Sequence, residues 1–339
     1  MSSDGHRSSR QLPNETLLKT LYDSYYQTEK AQEEASSHGQ KYGKECTVEL
    51  NASGVPAVVH GEGFGDLQVR TLASPILSKL TIIGHLALLK NRVDLIRVMG
   101  AARRLSTRMG LEFTQDAFRQ LCTLCLIQAQ LRADGRVPRR VLLIGDGYGF
   151  LGSLIRATYP NIHVVFVDLG KTLLFQSLDC QRAYPDAIHS GVQESIASEI
   201  TPDFVYCPAE EVESLGGEFN VAVNIASMQE MTRQSVESYF DFMRRRGVKL
   251  FYCANRERKV LVGGETRVFM EYPWMSADVH LVDEPCPWHQ WYVASSAHAG
   301  GPRWRGVRVP LINYFDGIHV HRLTRLELRS VGSVGAAEE

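Results

Sequence analysis

No apolar run among the 339 residues is long enough to cross a bilayer: the longest strongly apolar helical stretch, Leu80 to Leu89, has about half the twenty residues a span needs. The amino-terminal MSSDGHRSSRQLPNE lacks the apolar core of a secretory signal. These absences argue for a cytoplasmic location and against a membrane partner. An excess of charge of one sign is also missing. The 37 Lys and Arg face 38 Asp and Glu, with a net of about +3 before Arg139 and about −4 after it. Neither part has the basic footprint of a nucleic-acid binder, so no nucleic-acid partner is expected. The 7 cysteines are odd in number and scattered, which excludes a disulfide frame and suits reduced thiols. Cys122 and Cys125 form a CxxC with no second pair nearby, inside a helical apolar pattern, and read as buried helix cysteines. There is no internal repeat.

What is present centres on VLLIGDGYGFLG, Val141 to Gly152, followed by VVFVDL ending at Asp168 and Leu169. An apolar run, a glycine cluster, a helix-length interval and a second apolar run ending in an acid describe a nucleotide-binding βαβ unit. Two registers of the glycines compete. Gly147, Gly149 and Gly152 satisfy GxGxxG, the dinucleotide fingerprint. Gly145, Gly147 and Gly149 satisfy GxGxG, the loop of class I S-adenosylmethionine-dependent methyltransferases. The first register extends a buried strand into Asp146, whereas in the second the strand stops cleanly at Gly145, which favours the methyltransferase loop.

Along the chain, residues 1–13 and 331–339 are polar or small and read as disordered tails. Glu15 to Gln32 carries Leu17, Leu18, Leu21, Tyr25 and Tyr26 at helical spacing after a cap at Asn14. Val48 to Gly65 is a loop or short hairpin. Between Ser78 and Leu131 three helices are expected, with Gly100 and Gly110 as stops, so residues 14–135 form a mostly α-helical segment that serves as a lid, a homodimer surface or both. The boundary lies in Arg132 to Arg140. Residues 136–330 then alternate strands and helices. Strands are expected at Val141 to Ile144, His163 to Val167, Asp203 to Cys207, Phe219 to Ile225 and Val248 to Cys253, with a closing strand near Ile318 to Leu328. Helices are expected at Phe150 to Thr158, Lys171 to Tyr184 and Arg233 to Arg246.

The segments FNVAVNIASMQEMTRQSVESYF, FYCANRERK, MEYPWMSADVHLVDEPCPWHQWYV and IHVHRL resemble, in order and spacing, the sugar O-methyltransferase family of bacteria. The match covers roughly Val141 to Leu328. It implies an α/β fold, a Rossmann-like class I methyltransferase sheet with helices on both faces, preceded here by the α-helical segment. It also implies S-adenosyl-L-methionine as methyl donor and the hydroxyl of a deoxysugar, nucleotide-sugar or glycosylated natural product as acceptor.

Under that resemblance the nucleoside grip comprises Gly145, Asp146, Gly147, Tyr148 and Gly149 near the methionine part, and Asp168 on the ribose. Leu169, Ala209 and Glu210 stand by the adenine, and Asn224 at the end of the fourth strand. The acid that commonly stands two residues before the first glycine is here Leu143, so its task passes to Asp146. Ser227, Gln229, Asn255, Arg256, Tyr272, Trp274, Trp288 and His321 are candidates for the acceptor site. Aromatic faces suit pyranose C–H faces, and Arg256 suits a diphosphate. For the aromatics the competing reading is a core packed on the sheet. His289 is the first candidate for general base, because an imidazole with a reference pKa of about 6.5 accepts protons near neutrality. Glu230 is a base, a metal ligand or half of a capping box. His280, Asp283 and Glu284 are candidates for a divalent cation such as magnesium that would lower the hydroxyl pKa. Two rival readings stand beside this one: an NAD-dependent nucleotide-sugar oxidoreductase and a non-catalytic S-adenosylmethionine-binding scaffold.

Overall fold

The computed structural model describes residues 14–26, 47–60, 82, 93–293, 303–308, 312–314 and 317–328. The two expected tails, the helix expected over SKLTIIGHLALL apart from Ile82, and the end of the Glu15 to Gln32 helix lie outside the described residues.

The amino-terminal part builds helices as its periodicity requires. The Asn14 side chain accepts a 3.1 Å hydrogen bond from the Leu17 N–H and so caps α1 (Glu15–Leu21), which buries Leu17, Leu18 and Leu21 and runs on into a π-helical turn, Tyr22–Tyr26. Strands β1 (Thr47–Leu50) and β2 (Pro56–His60) pair antiparallel, so the hairpin alternative holds. Helix α2 (Val93–Met109) passes straight through Gly100, correcting the expected stop there. A helical glycine costs about 1 kcal/mol; burial of Leu95, Val98, Ala102, Leu105 and Met109 outweighs it. The stop comes at Gly110, where φ is +74°. Helix α3 (Gln115–Ala133) begins at Thr114, whose hydroxyl accepts from the Ala117 N–H.

The remainder alternates as expected: β3 (Arg140–Ile144), α4 (Phe150–Thr158), β4 (His163–Asp168), α5 (Gly170–Ala183), β5 (His189–Gly191), α6 (Val192–Ala197), β6 (Phe204–Pro208), β7 (Val221–Ile225), α7 (Arg233–Arg245) and β8 (Leu250–Arg256). A small hairpin, β9 (Arg258–Val260) with β10 (Thr266–Val268), follows, then β11 (Val279–Pro285). Two short ladders come next, β12 (Trp291–Val293) with β15 (Ile312–Tyr314) and β13 (Arg303–Trp304) with β14 (Val307–Arg308), before the closing strand β16 (His319–Arg325).

Eight strands form one sheet in the order β11-β16-β8-β7-β3-β4-β6-β5. The run from β8 to β5 is parallel, and β16 lies antiparallel between β8 and β11. This is the Rossmann-like α/β sheet expected for a class I methyltransferase. Alternate strand residues face opposite layers. Val141, Leu143, Val164, Phe166, Val223 and Tyr252 share one apolar cluster with α1 to α5, so the helical segment and the sheet have a common core. Leu142, Ile144, Val165, Val167, Phe251 and Cys253 share the other with Val236, Phe240 and Met243 of α7. After β3 the chain builds outward through β4 and β6, then crosses back to β7 on the other side of β3. The crevice outside the carboxyl ends of β3 and β7 is therefore the topological switch point, where ligands collect in open α/β sheets. Among the described residues no helix is long and apolar enough to cross a membrane.

Candidate active site

The glycine cluster is the turn from β3 into α4. Gly145, Gly147 and Gly149 all have positive φ, between 56° and 76°, while Gly152 lies inside α4. The GxGxG register therefore describes the loop, and the last glycine of GxGxxG has a packing task. A Cβ on Gly152 would stand 2.5 Å from the Phe166 ring and 2.6 Å from Leu143, so only glycine lets α4 lie this close to the sheet. Gly145 is confined for another reason: a Cβ there would overlap the Ser227 hydroxyl at 2.1 Å. Two predicted residues from distant segments are thus in direct contact.

Asp146 turns back toward α4, where its Oδ2 accepts a 2.9 Å hydrogen bond from the Gly152 N–H. Burial pushes its carboxyl up to about 8; the Gly152 and Leu151 N–H groups oppose this and the Asp168 charge adds to it. Asp168 ends β4. Its Oδ1 accepts from the Leu169 N–H at 2.8 Å and its Oδ2 from Gln176 Nε2 at 2.7 Å, and it makes no capping bond to α5. Burial raises this carboxyl to about 7, against the pull of Leu169, Gln176, Thr172 and Gly147. Tyr148 is largely buried, edge-on to Phe175 with centroids 5.3 Å apart. Leu169 precedes α5 as its cap residue, and Ala209 and Glu210 open the 3-10 turn after β6, at the same edge of the sheet.

At the carboxyl end of β7 the side chains hold one another. Asn224 is fully buried; its Nδ2 donates to the Ile144 carbonyl at 2.8 Å and to the Ser227 hydroxyl, and its Oδ1 accepts from Asn255 Nδ2 at 2.8 Å. Asn255 Oδ1 accepts from the Gln229 N–H at 3.1 Å, and Gln229 Oε1 from the Arg256 N–H at 2.7 Å. Asn224, Ser227, Gln229, Asn255 and Arg256 are therefore one hydrogen-bonded group that fixes the loop after β7 against β3 and β8. Within it Ala226 has φ +58°, a left-handed conformation uncommon for alanine. Glu230 closes the loop with an ion pair to Lys259 of β9, and Arg267 Nε of β10 donates to the Met231 carbonyl at 2.6 Å. The β9–β10 hairpin thus clamps the loop, a role no sequence pattern announced.

The aromatic third divides between two sites of packing. Trp274 lies in the core under α7, edge-on to Phe240 at 4.8 Å, with the Arg322 guanidinium 4.7 Å from its ring. Tyr272 is 7% exposed beside it, and its hydroxyl has no hydrogen-bond partner. Trp288 faces the opposite layer. Its indole N–H donates to Thr123 of α3 at 3.3 Å, its carbonyl accepts from Arg119 Nε at 2.9 Å, and its ring is edge-on to His321. For Trp274 and Trp288 the core reading fits the geometry. His321 Nδ1 stands 3.2 Å from the Tyr252 hydroxyl, inside that core.

His289 is buried, stacked on His319 with centroids 5.8 Å apart, and its Nδ1 lies 3.3 Å from Cys286 Sγ. His319 pairs with Arg256 in the sheet register, so both imidazoles stand at the carboxyl edge. Burial, with Arg256, Arg119 and Lys259 adding to it, drives His319 down to about 3, so it stays neutral. The three cation candidates do not converge. Asp283 pairs with Arg322 at 2.6 Å, Glu284 approaches His321 at 3.7 Å from the opposite face of β11, and His280 bonds Thr324 at 2.9 Å. Among the described residues no group of three or more His, Cys, Asp or Glu could hold a metal.

Two polar side chains beside Asp168, Thr172 and Gln176, were missed in the sequence. The signal was there: they are one turn apart on a helix that also buries Ser177, Asp179 and Gln181, and buried polar residues need a reason.

No protein-family model and no curated protein match the chain. Solved structures do match. An rRNA methylase from Escherichia coli is 11% identical, with 75% of this chain and 92% of that one covered at a TM-score of 0.35. The magnesium protoporphyrin IX methyltransferase of Synechocystis PCC 6803, with bound SAM, is 12% identical over 61% and 80% at 0.31. The Thermoplasma acidophilum 1320 protein is 14% identical over 66% and 97% at 0.35.

Proposed function

We propose that the chain is an S-adenosylmethionine-dependent O-methyltransferase acting on a sugar hydroxyl. The observation that carries this reading is the three positive-φ glycines after β3 facing Asp168 at the end of β4, beside the switch-point crevice. The residues suit a nucleoside. The loop backbone can approach a ligand closely, and an acid stands at the neighbouring strand end. The SMQEM, YPW and CPWHQ resemblance supports the sugar acceptor.

S-adenosylmethionine would supply an activated methyl group, which leaves the protein to orient two reactants and remove a proton. Gly145, Gly147, Gly149 and Asp168 would hold the donor. The interlocked Asn224, Ser227, Gln229 and Asn255 would give the acceptor loop a fixed shape, with Glu230 and Arg256 presented at its rim. His289 would take the hydroxyl proton at Nε2. Burial keeps the Cys286 thiol protonated, at about 12, so a thiol facing Nδ1 either donates to it or accepts from it. Proton acceptance at Nε2 requires the tautomer that carries the proton on Nδ1.

Calorimetric titration with S-adenosylmethionine and with NAD tests the donor, and tight NAD binding alone would sink the reading. A panel of sugars, nucleotide-sugars and glycosides with labelled methyl donor, with and without chelator, tests acceptor and metal dependence. The scaffold alternative predicts donor binding with no transfer to any acceptor.

A further inference from the structure

The near-balance of charge over the whole chain hides a local excess. From Leu95 to Gly110 the sequence holds four arginines, Arg97, Arg103, Arg104 and Arg108, with no lysine and no acid, which more than accounts for the surplus of basic residues before Arg139. All four are exposed on the outer side of α2, while Leu95, Val98, Ala102, Leu105 and Met109 are buried in the core. At 3.6 residues per turn Arg97, Arg104 and Arg108 stand close to whole turns apart, so they form one row of about 16 Å along the axis, with Arg103 on the other flank. The Arg104 guanidinium lies back over Gly100, 3.5 Å from where a Cβ would be, on the side of Arg97. Among the described residues none of the four pairs with a carboxylate; Arg103 lies over the Phe113 ring, 5.8 Å from its centroid. Like charges four residues apart, as at Arg104 and Arg108, weaken a helix, and Arg97, near the amino end, gains nothing from the helix dipole. Folding does not account for the row.

We propose that this face of α2 is a docking surface for a nucleic acid, held through its phosphate backbone. Arginine suits that partner, because its planar guanidinium meets phosphate oxygens with two parallel bonds and stays charged at physiological pH. A row of guanidinium groups matches a strand whose own charges follow one line, and Arg103 is left to reach a second stretch of backbone. Contact through phosphates alone carries no sequence information, so binding should be salt-sensitive and indifferent to sequence. An anionic membrane would offer the same charge, but a helix that lies on lipid inserts an apolar stripe. The apolar stripe of α2 is spent on the core, and among its described side chains Ile96, 78% exposed, is the one large apolar group left outward. The inference does not depend on the methyl-donor reading.

The test is fluorescence anisotropy with a labelled RNA hairpin and a labelled DNA duplex of arbitrary sequence, titrated at several salt concentrations. The proteins are wild type, Arg97→Gln, Arg104→Gln, Arg108→Gln and the triple variant; the side chains replaced are exposed, and melting curves check that each protein is folded. Wild type should bind at least one probe, with a log K that falls by about 3 to 4 per decade of salt. Each single change should lower that slope by about one, and the triple variant should bind about tenfold or more weakly. Arg233→Gln, which removes an exposed arginine from α7, controls for net charge and should leave slope and affinity nearly unchanged. Three results would overturn the inference: no binding of either probe, a slope and affinity that the triple variant retains, or sedimentation with phosphatidylserine vesicles in place of nucleic-acid binding.

Discussion

Asn255 Nδ2 donates a 2.8 Å hydrogen bond to Asn224 Oδ1 across the carboxyl ends of β8 and β7, and both side chains are fully buried. The bond ties the loop that follows one strand to the end of the next. Asn255→Ala would leave the Asn224 oxygen and the Gln229 N–H each short of a partner. Asn224 Oδ1 keeps the Met228 N–H at 3.3 Å, so the expected cost is about 1–3 kcal/mol, chiefly from the Gln229 N–H left unsatisfied. If the loop shapes the acceptor site, kcat should fall in Asn255→Ser while the donor dissociation constant holds. Denaturant unfolding and binding titration check the two halves separately.

Gly152→Ala tests the close approach of α4 to the sheet. The added methyl has no space between Phe166 and Leu143, and overpacking of this kind costs about 1–3 kcal/mol. The melting temperature should drop by several degrees. Gly216, where a Cβ meets nothing within 4 Å, is the control, and Gly216→Ala should leave it nearly unchanged.

Asp146 gives a pH signature. Its carboxyl titrates at about 8 when folded and in the ordinary range near 4 when unfolded, so the folded state holds the extra proton between those values. Stability should then be greatest below about pH 4 in this respect and fall as pH rises through 8. Asn keeps an oxygen for the Gly152 N–H and carries no charge. Asp146→Asn should gain on the order of 1–3 kcal/mol over wild type at pH 8, and less at pH 5. Thermal melts at the two pH values decide it; equal differences would show that Asp146 is ionised throughout.

A cationic ligand at the glycine loop would favour the ionised forms of Asp146 and Asp168. Binding of S-adenosylmethionine near pH 7 should release protons, and affinity should rise from pH 6 to pH 8. Calorimetry in buffers of different ionisation enthalpy counts those protons. A neutral nucleoside should release fewer.

The buried bidentate pair of Arg244 with Asp278, two bonds of 2.8 Å, joins α7 to the turn before β11. Arg244→Met leaves a buried carboxylate with only the Met275 and Glu327 N–H groups for partners and should cost about 3–5 kcal/mol, whereas adding Asp278→Asn, which removes the charge and keeps an oxygen for one of those N–H groups, should recover part of it. Chemical denaturation of the four proteins of the cycle measures the coupling.

The βαβ core was legible because its signals are local: apolar runs, glycines at the turns, and an acid at the second strand end. Helix α4 begins and ends where the pattern put it. Strand β5 was missed because His189, Ser190 and Gly191 carry no apolar signal and pair only through the neighbouring strand. The aromatic residues misled in part because clustering along the chain says nothing about which face of a sheet receives each ring. Alternation did contain a warning about the cation site: Asp283 and Glu284 are adjacent on one strand, and adjacent strand residues point to opposite faces. Asn224 and Asn255 were legible as unusual but not as partners, since 31 residues separate them and only the sheet register brings them together.

The common core of α1 to α3 with the sheet has a consequence for synthesis on the ribosome. These helices emerge before any of the strands that bury them, and Leu95, Leu105, Phe118 and Leu121 have their cover only once residues beyond 140 have been translated. For that interval the nascent chain displays a broad apolar face to the surrounding solution. Expression of residues 1–135 alone should therefore give an aggregation-prone fragment, and chaperone occupancy of nascent chains should peak before β4 is complete.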